Sequence, residues 1–366
     1  MKILFINSYL SFPRYIKRIK AIQQLGVNTT VIAYNRDDNK SGELLSDTIS
    51  LGTIEHGKYF QRMLTIIKSF LIVRRECKEI DICYCFGLDM FLLGWLASLC
   101  KNNKPKYVYE VGDIRPILLG EGFANIIARK LDRYLASRAK LLVVTSTAFI
   151  TEYYYKIINL SSLSYIEIEN KIESRDIKSK LEINIKKDHI IRIGYYGAIR
   201  CEASWGILSS VVKRSKGRII LNVYGFIKGI DNAYNDIDQI PGINYYGSYK
   251  SPDDLHMIHN NIDIAWIASI HGGANSIWAK RCRYYEAGAF NTPMIAQVNT
   301  QDGIKVNKYG FGKICNLMDR NTTIEQLLSL DHNDIEIWHY NLKQISRDKF
   351  CYGDEHKGLI SKLKYS

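Results

Sequence analysis

The sequence predicts an α/β protein built of two doubly wound halves, each with its own parallel sheet. Three observations carry this. The first is a strand–helix–strand unit at the start. Residues 2–7 form an apolar strand, 14–25 a helix closed by Gly26, and 28–34 a second strand. Strands joined that way run parallel. The second is a recurrence of the pattern from Ile191, where a strand over 191–196 leads through the turn Gly197-Ala198-Ile199-Arg200 into a helix. A strand, a glycine turn and a helix N-terminus together make a place where backbone N–H groups hold a diphosphate. The third is length: 366 residues allow two domains of ordinary size. The polar stretch 173–188, rich in Lys, Glu and Ser, separates them.

Composition narrows the class. Hydrophobic residues at 46% with 24% charged describe a globular chain, not a disordered one. The longest apolar run, 86–100, is short for a bilayer and contains Asp89. The N-terminus enters a strand directly and lacks the pattern of a signal peptide, so a cytoplasmic location is expected. The net charge of +13 is uneven, with +9 in residues 1–166 and +4 in the rest. A basic first half suits phosphorylated substrates or anionic lipid. No RNA-binding, zinc-finger or helix-turn-helix pattern points to nucleic acid. Cys83 and Cys85 lie two apart on a strand without accompanying zinc-type spacing and read as buried thiols. Asp236-Ile-Asp238 has metal-motif spacing but falls in a loop between strands, so no metal is expected.

Further elements follow in order. Residues 58–75 make a basic amphipathic helix with Leu64, Ile67, Phe70 and Leu71 as its stripe. That stripe either packs on the sheet, the default for a helix of this kind, or lies in a membrane interface. The stretch 124–140 is a second basic helix. Strands are expected at 81–85, 107–111, 141–144 and 165–170, at 218–224 ending in Gly225, and at 243–247. Helices are expected at 324–330, 335–348 and 356–363. Polar groups after a parallel strand face the crevice, which singles out Asp113 and Arg115 after 107–111; Asp113 also fits a helix cap.

Residues 283–296, Arg-Tyr-Tyr-Glu-Ala-Gly-Ala-Phe-Asn-Thr-Pro-Met-Ile-Ala, read as helix, turn and strand. Pro293 stops the helix, and Asn291 before it tolerates a left-handed turn. Glu286 is a carboxylate in an otherwise apolar helix, so it needs a partner or a ligand. Its structural alternative is a salt bridge to Arg281 or Arg283.

This stretch resembles the C-terminal signature of the GT-B glycosyltransferases, particularly the retaining family 4 group. The fold that this implies is two Rossmann-like domains whose parallel sheets face across a cleft. Boundaries would be 1–172 for the acceptor side, 173–188 for the linker, 189–345 for the nucleotide-sugar side, and 346–366 for a last helix crossing back. The resemblance places Glu286 on the donor ribose. Arg200 falls at the diphosphate, with Lys228 or Lys280 and Arg281 as the second cation. Gly197, Gly247, Ser248, Asn275, Ser276 and Arg283 complete the donor site. Arg14 and Arg115 fall on the acceptor side, and Asp113 and Arg200 are the candidate catalytic groups. Three positions depart from the family pattern: Trp278 stands for a second Glu, Gly112 for a His, and Asn291 for a Gly. The activity implied is retaining, metal-independent sugar transfer from a nucleotide-sugar to a glycan or polyprenyl-diphosphate-linked oligosaccharide in bacterial surface-polysaccharide synthesis. No cofactor is implied. The protein would sit in the cytoplasm, with its basic helices on the inner face of the plasma membrane. The alternatives are a catalytically degenerate GT-B binding protein and a sugar-nucleotide epimerase.

Overall fold

The computed structural model describes residues 1–9, 13–35, 48–53, 59–99, 103–177 and 189–365. Residues 178–188 of the expected linker lie outside this set. The chain divides into two compact units: Met1–Glu169 with Asp354–Ser366, and Asn170–Gly353.

The first unit runs β1 (Lys2–Asn7), α1 (Pro13–Gln24), β2 (Asn28–Asn35), β3 (Thr48–Thr53), α2 (Tyr59–Glu76), β4 (Ile82–Phe86), α3 (Leu88–Ser98), β5 (Lys106–Val111), α4 (Phe123–Ala136), β6 (Leu141–Val144) and β7 (Tyr165–Glu167). Its seven strands are parallel, in the order β3-β2-β1-β4-β5-β6-β7. The order reverses between β1 and β4, and ligands of such sheets bind at the carboxyl ends beside that reversal. Pro13 opens α1, where the missing N–H costs nothing. Gly26 ends it in a left-handed conformation, its N–H bonding Gln23 O at 2.9 Å. After β6 the chain forms a π-helical stretch, Phe149–Tyr155.

The second unit runs β8 (Ile191–Ile199), α5 (Glu202–Arg214), β9 (Ile219–Ile227), α6 (Ala233–Gln239), β10 (Ile243–Tyr245), α7 (Leu255–Asn260), β11 (Ile264–Trp266), α8 (Ala274–Trp278), α9 (Cys282–Ala289), β12 (Met294–Gln297), α10 (Gln301–Tyr309), β13 (Gly312–Cys315), α11 (Arg320–Leu328) and α12 (His332–Lys343). Its parallel strands take the order β10-β9-β8-β11-β12-β13. Ile264 and Trp266 on β11 join one apolar layer; Ala265 and Ile267 join the other. That period of two is what a strand covered on both faces requires. The last helix, α13 (Glu355–Tyr365), belongs to the first unit.

Three expectations are corrected. The strands thought to stop at Tyr196 and Tyr224 continue to Ile199 and Ile227. Their glycines make no turn. Gly197 and Gly225 sit opposite one another in register, and a Cβ on Gly225 would lie 2.0 Å from Gly197 O. The close approach requires a glycine at 225, and Gly197 opposite it has φ 94°, which favours glycine. Asp236 lies in α6, not in a loop, and accepts from Trp205 Nε1 at 2.8 Å and Ser209 Oγ at 3.1 Å. Ahead of the signature the chain forms the short helix α8. Finally, Ile67 and Leu71 of the α2 stripe are 61% and 72% exposed, while Ser69 and Val73 are buried. On the inward face the Ser69 hydroxyl bonds that of Tyr34. The side chain of Leu64 lies outside the described residues.

Candidate functional site

In the second unit the signature folds as helix, left-handed turn and strand. Gly288 of α9 faces Phe350, and a Cβ there would come within 2.1 Å of the ring. Asn291 has φ 52°. Below the turn, His259 bonds Thr292 Oγ1 at 2.8 Å and stacks on Phe290 at 4.7 Å. Burial lowers its pKa to about 3, so it is a neutral packing group. The helix is thus held rigidly from beneath. Glu286 is half-buried among the buried Tyr284, Tyr285 and Ala287. The phenols of Tyr196 and Tyr249 are pushed up by burial first and then by the Glu286 charge. The Tyr249 hydroxyl also lies 3.7 Å from where a Cβ of Gly197 would stand. Gly197, Tyr196, Tyr249 and Glu286 therefore gather near the carboxyl end of β8. Tyr249 had no signal in the sequence, because it sits in a loop without periodicity.

The basic residues divide by role. Arg281 spends its fork within the protein: Nη1 donates to Asp302 at 2.8 Å, and Nη2 donates to Ser269 O at 2.7 Å and Ser276 O at 3.3 Å. Asp302 is fully buried; burial raises its pKa and Arg281 opposes the rise. Arg283 donates to Trp266 O at 3.2 Å and lies 5.0 Å above the Tyr195 ring. Lys280 Nζ lies 5.9 Å from the Tyr285 ring centroid. Arg200 is exposed on the β8–β9 ribbon, 5.5 Å from the ring of Phe226, and Lys228 is exposed on the same ribbon. Asn275 is half-buried in α8, and the buried Ser276 donates to His271 O. Gly247 has φ 74° and accepts from Gly225 N at 2.6 Å. Beside it Ser248 is exposed, and the Tyr246 ring, 55% exposed, stacks on Tyr224 at 4.5 Å.

In the first unit a cavity of about 210 Å³ opens at the carboxyl ends of β1, β4 and β5, beside the reversal of strand order. Arg14, Glu110, Asp113 and Arg115 are its charged lining. Arg115 donates to Asp89 at 2.9 Å. The Asp113 residue surface is exposed at the cavity mouth, yet protein surrounds its carboxyl; burial raises its pKa, and Arg14 and Arg115 oppose the rise. Burial works against the Arg14 cation, but Tyr15, Asp113 and Glu110 outweigh it, so the group stays charged. Glu110 is also fixed from below, by Arg18 Nε at 3.2 Å and by the Tyr84 hydroxyl. Arg18 Nη1 donates to His356 Nε2 of α13 at 2.8 Å. The His356 pKa is lowered to about 4 by burial and then by Arg18. Cys83 and Cys85 are buried, with their sulfurs 3.5 Å apart.

Two parallel sheets of this order are shared with known proteins. Sucrose-phosphate synthase of Thermosynechococcus elongatus superposes with a TM-score of 0.73 over 100% of this chain and 98% of that one, at 12% identity. HepE of Anabaena, solved with UDP and glucose, gives a TM-score of 0.73 over 100% of both chains, at 13% identity. The chain has the GT-B fold. It is also 24% identical over 318 residues to the succinoglycan biosynthesis protein ExoL of Rhizobium meliloti, covering 82% of this chain and 77% of that protein. No protein-family model matches.

Proposed function

We propose that this GT-B chain is a glycosyltransferase of bacterial surface-polysaccharide synthesis. It moves a sugar from a nucleotide-sugar to a glycan or a polyprenyl-diphosphate-linked oligosaccharide. The observation that carries this reading is Glu286 presented with Tyr249 and Gly197 at the strand reversal of the second unit, on the fold of a protein solved with UDP and glucose. The name of the relative supports the process.

In this reading the second unit holds the donor. The Glu286 carboxylate accepts hydrogen bonds from ribose hydroxyls, and the loop at Gly247 and Ser248 flanks the base. As the sugar leaves, charge grows on the diphosphate, and fixed cations there lower the barrier. Arg200 supplies one, with Lys280 or Lys228 as the second, and Asn275 and Arg283 line the sugar side. Arg281, anchored by Asp302, is assigned to holding the 269–276 segment through the carbonyls of Ser269 and Ser276. The first unit holds the acceptor, with Arg14, Asp113 and Arg115 as its polar contacts. In this reading transfer proceeds with retention and without a metal.

A lipid-linked acceptor requires contact with a membrane. Among the described residues no helix is long and apolar enough to cross one. Instead, α4 presents Phe123, Ile126, Ile127 and Tyr134 to solvent, 40–78% exposed, beside the exposed Lys130 and Arg133. With Ile67, Lys68 and Leu71 of α2, this is the pairing of apolar and cationic groups that binds an anionic bilayer surface.

The test is transfer from a panel of radiolabelled uridine, guanosine and adenosine diphosphate sugars to a bacterial lipid extract. One sugar class passes into the lipid-soluble fraction. Glu286→Ala lowers that rate about 10- to 100-fold, as loss of about 1.5–3 kcal/mol of charge-assisted hydrogen bonding requires. Nucleotide binding without transfer of any sugar indicates a binding protein instead.

A further inference from the structure

The cavity of the first unit holds a contact between residues far apart in sequence. A Cβ built on Gly112 would lie 1.9 Å from Arg14 Nη2, 2.1 Å from Cζ and 2.2 Å from Nη1. Gly112 is not among the glycines with left-handed backbone. Its missing side chain therefore serves space: the guanidinium occupies the volume that any other residue at 112 would fill. Three neighbours bound the seat on its protein side. The Thr145 hydroxyl donates to Gly112 O at 3.1 Å. Arg14 Nε lies 3.8 Å from the Glu110 carboxylate, and Cζ lies 5.2 Å from the Tyr15 ring centroid.

The lining also limits what fits. Arg14 and Arg115 are balanced by Glu110 and Asp113, so an anionic ligand finds no surplus positive charge. About 210 Å³ is below the roughly 300–1,000 Å³ of sites for drug-sized ligands, which leaves room for one small unit. A guanidinium only donates hydrogen bonds and a carboxylate only accepts them. Set side by side, they match neighbouring sugar hydroxyls, each of which does both.

We propose that Arg14 and Gly112 act as one specificity element, in which the guanidinium seated over Gly112 donates to the hydroxyl oxygens of a single uncharged sugar ring of the acceptor while Asp113 accepts from the same ring. This rests on the glycosyltransferase reading and adds to it the charge class of the acceptor sugar and the residue that selects it.

The experiment is saturation-transfer NMR with the p-nitrophenyl β-D-glucoside, galactoside and mannoside, and with the matched glucuronide, on the full chain. At least one neutral glycoside binds, and the glucuronide binds at least tenfold more weakly. Gly112→Ala and Arg14→Ala each weaken the neutral glycoside about tenfold. In the Arg14→Ala background Gly112→Ala adds less than twofold, because its only effect is to unseat the guanidinium. Arg14→Lys keeps a cation beside Glu110 but loses the planar fork, and it too binds more weakly. A structural role alone would shift melting temperatures without this non-additivity. The proposal is overturned if no neutral glycoside binds, if the glucuronide binds as well, or if the two substitutions multiply. UDP affinity, measured on the same variants, stays within twofold; if the wild type binds no nucleotide at all, it is the glycosyltransferase reading that has failed.

Discussion

Arg281 and Glu286 lie five positions apart, the first just ahead of the signature stretch and the second inside it. Their surroundings separate them. Arg281 is tied to the buried Asp302, which lies 21 residues on and gives no sign in the sequence of being its partner. Removing one member of such a pair strands a buried charge, at a cost of about 3–5 kcal/mol. Arg281→Ala should therefore lower the unfolding free energy by that amount in urea denaturation. Glu286→Ala, at a half-buried position on the same segment, should change it by under about 1 kcal/mol. Equal effects would contradict the assignment of Arg281 to structure. Glu286 was legible because a carboxylate among apolar helix residues needs a reason. The seat of Arg14 over Gly112 was not, because a steric exclusion between distant residues leaves no local pattern.

At the scale of elements, apolar periodicity found most of the strands but misjudged how they end. The glycines of β8 and β9 looked like turns because each, alone, has the usual signature of one; only their pairing shows the close approach that needs them. The edge strand β3, with its alternation of Thr, Ser and Gly, offers little apolar signal. The α2 stripe was visible, yet the helix turns Ser69 and Val73 inward instead, with the Ser69 hydroxyl bonded to that of Tyr34. That orientation makes a prediction. In flotation with vesicles containing phosphatidylglycerol, the chain should bind, and 0.5 M salt should weaken it, since exposed charges are screened within a few ångströms at such ionic strength. Ile67→Asp with Leu71→Asp, or Phe123→Asp with Ile127→Asp, should weaken it at least tenfold. Binding that ignores both substitutions would leave these helices as plain solvated surface.

For the whole molecule, the doubly wound architecture was legible because two strand–helix–strand units recur along the chain, and the same order of strands appears in both sheets. The fold is shared by proteins of different chemistry, so it does not by itself decide the activity. In the proposed reading the donor base and sugar are met by loop residues such as Tyr249, which no periodicity marks. The central claim is that the second unit binds a nucleotide-sugar through Glu286. Its most direct test is thermal unfolding with unlabelled nucleoside diphosphates and nucleotide-sugars, on the wild type and on Glu286→Ala. One nucleotide class at about a hundred times its dissociation constant should stabilise the wild type by about 2.7 kcal/mol, and the variant at the same concentration should show little of that gain. Absence of stabilisation by any uridine, guanosine or adenosine diphosphate species, or full stabilisation of the variant, would contradict it.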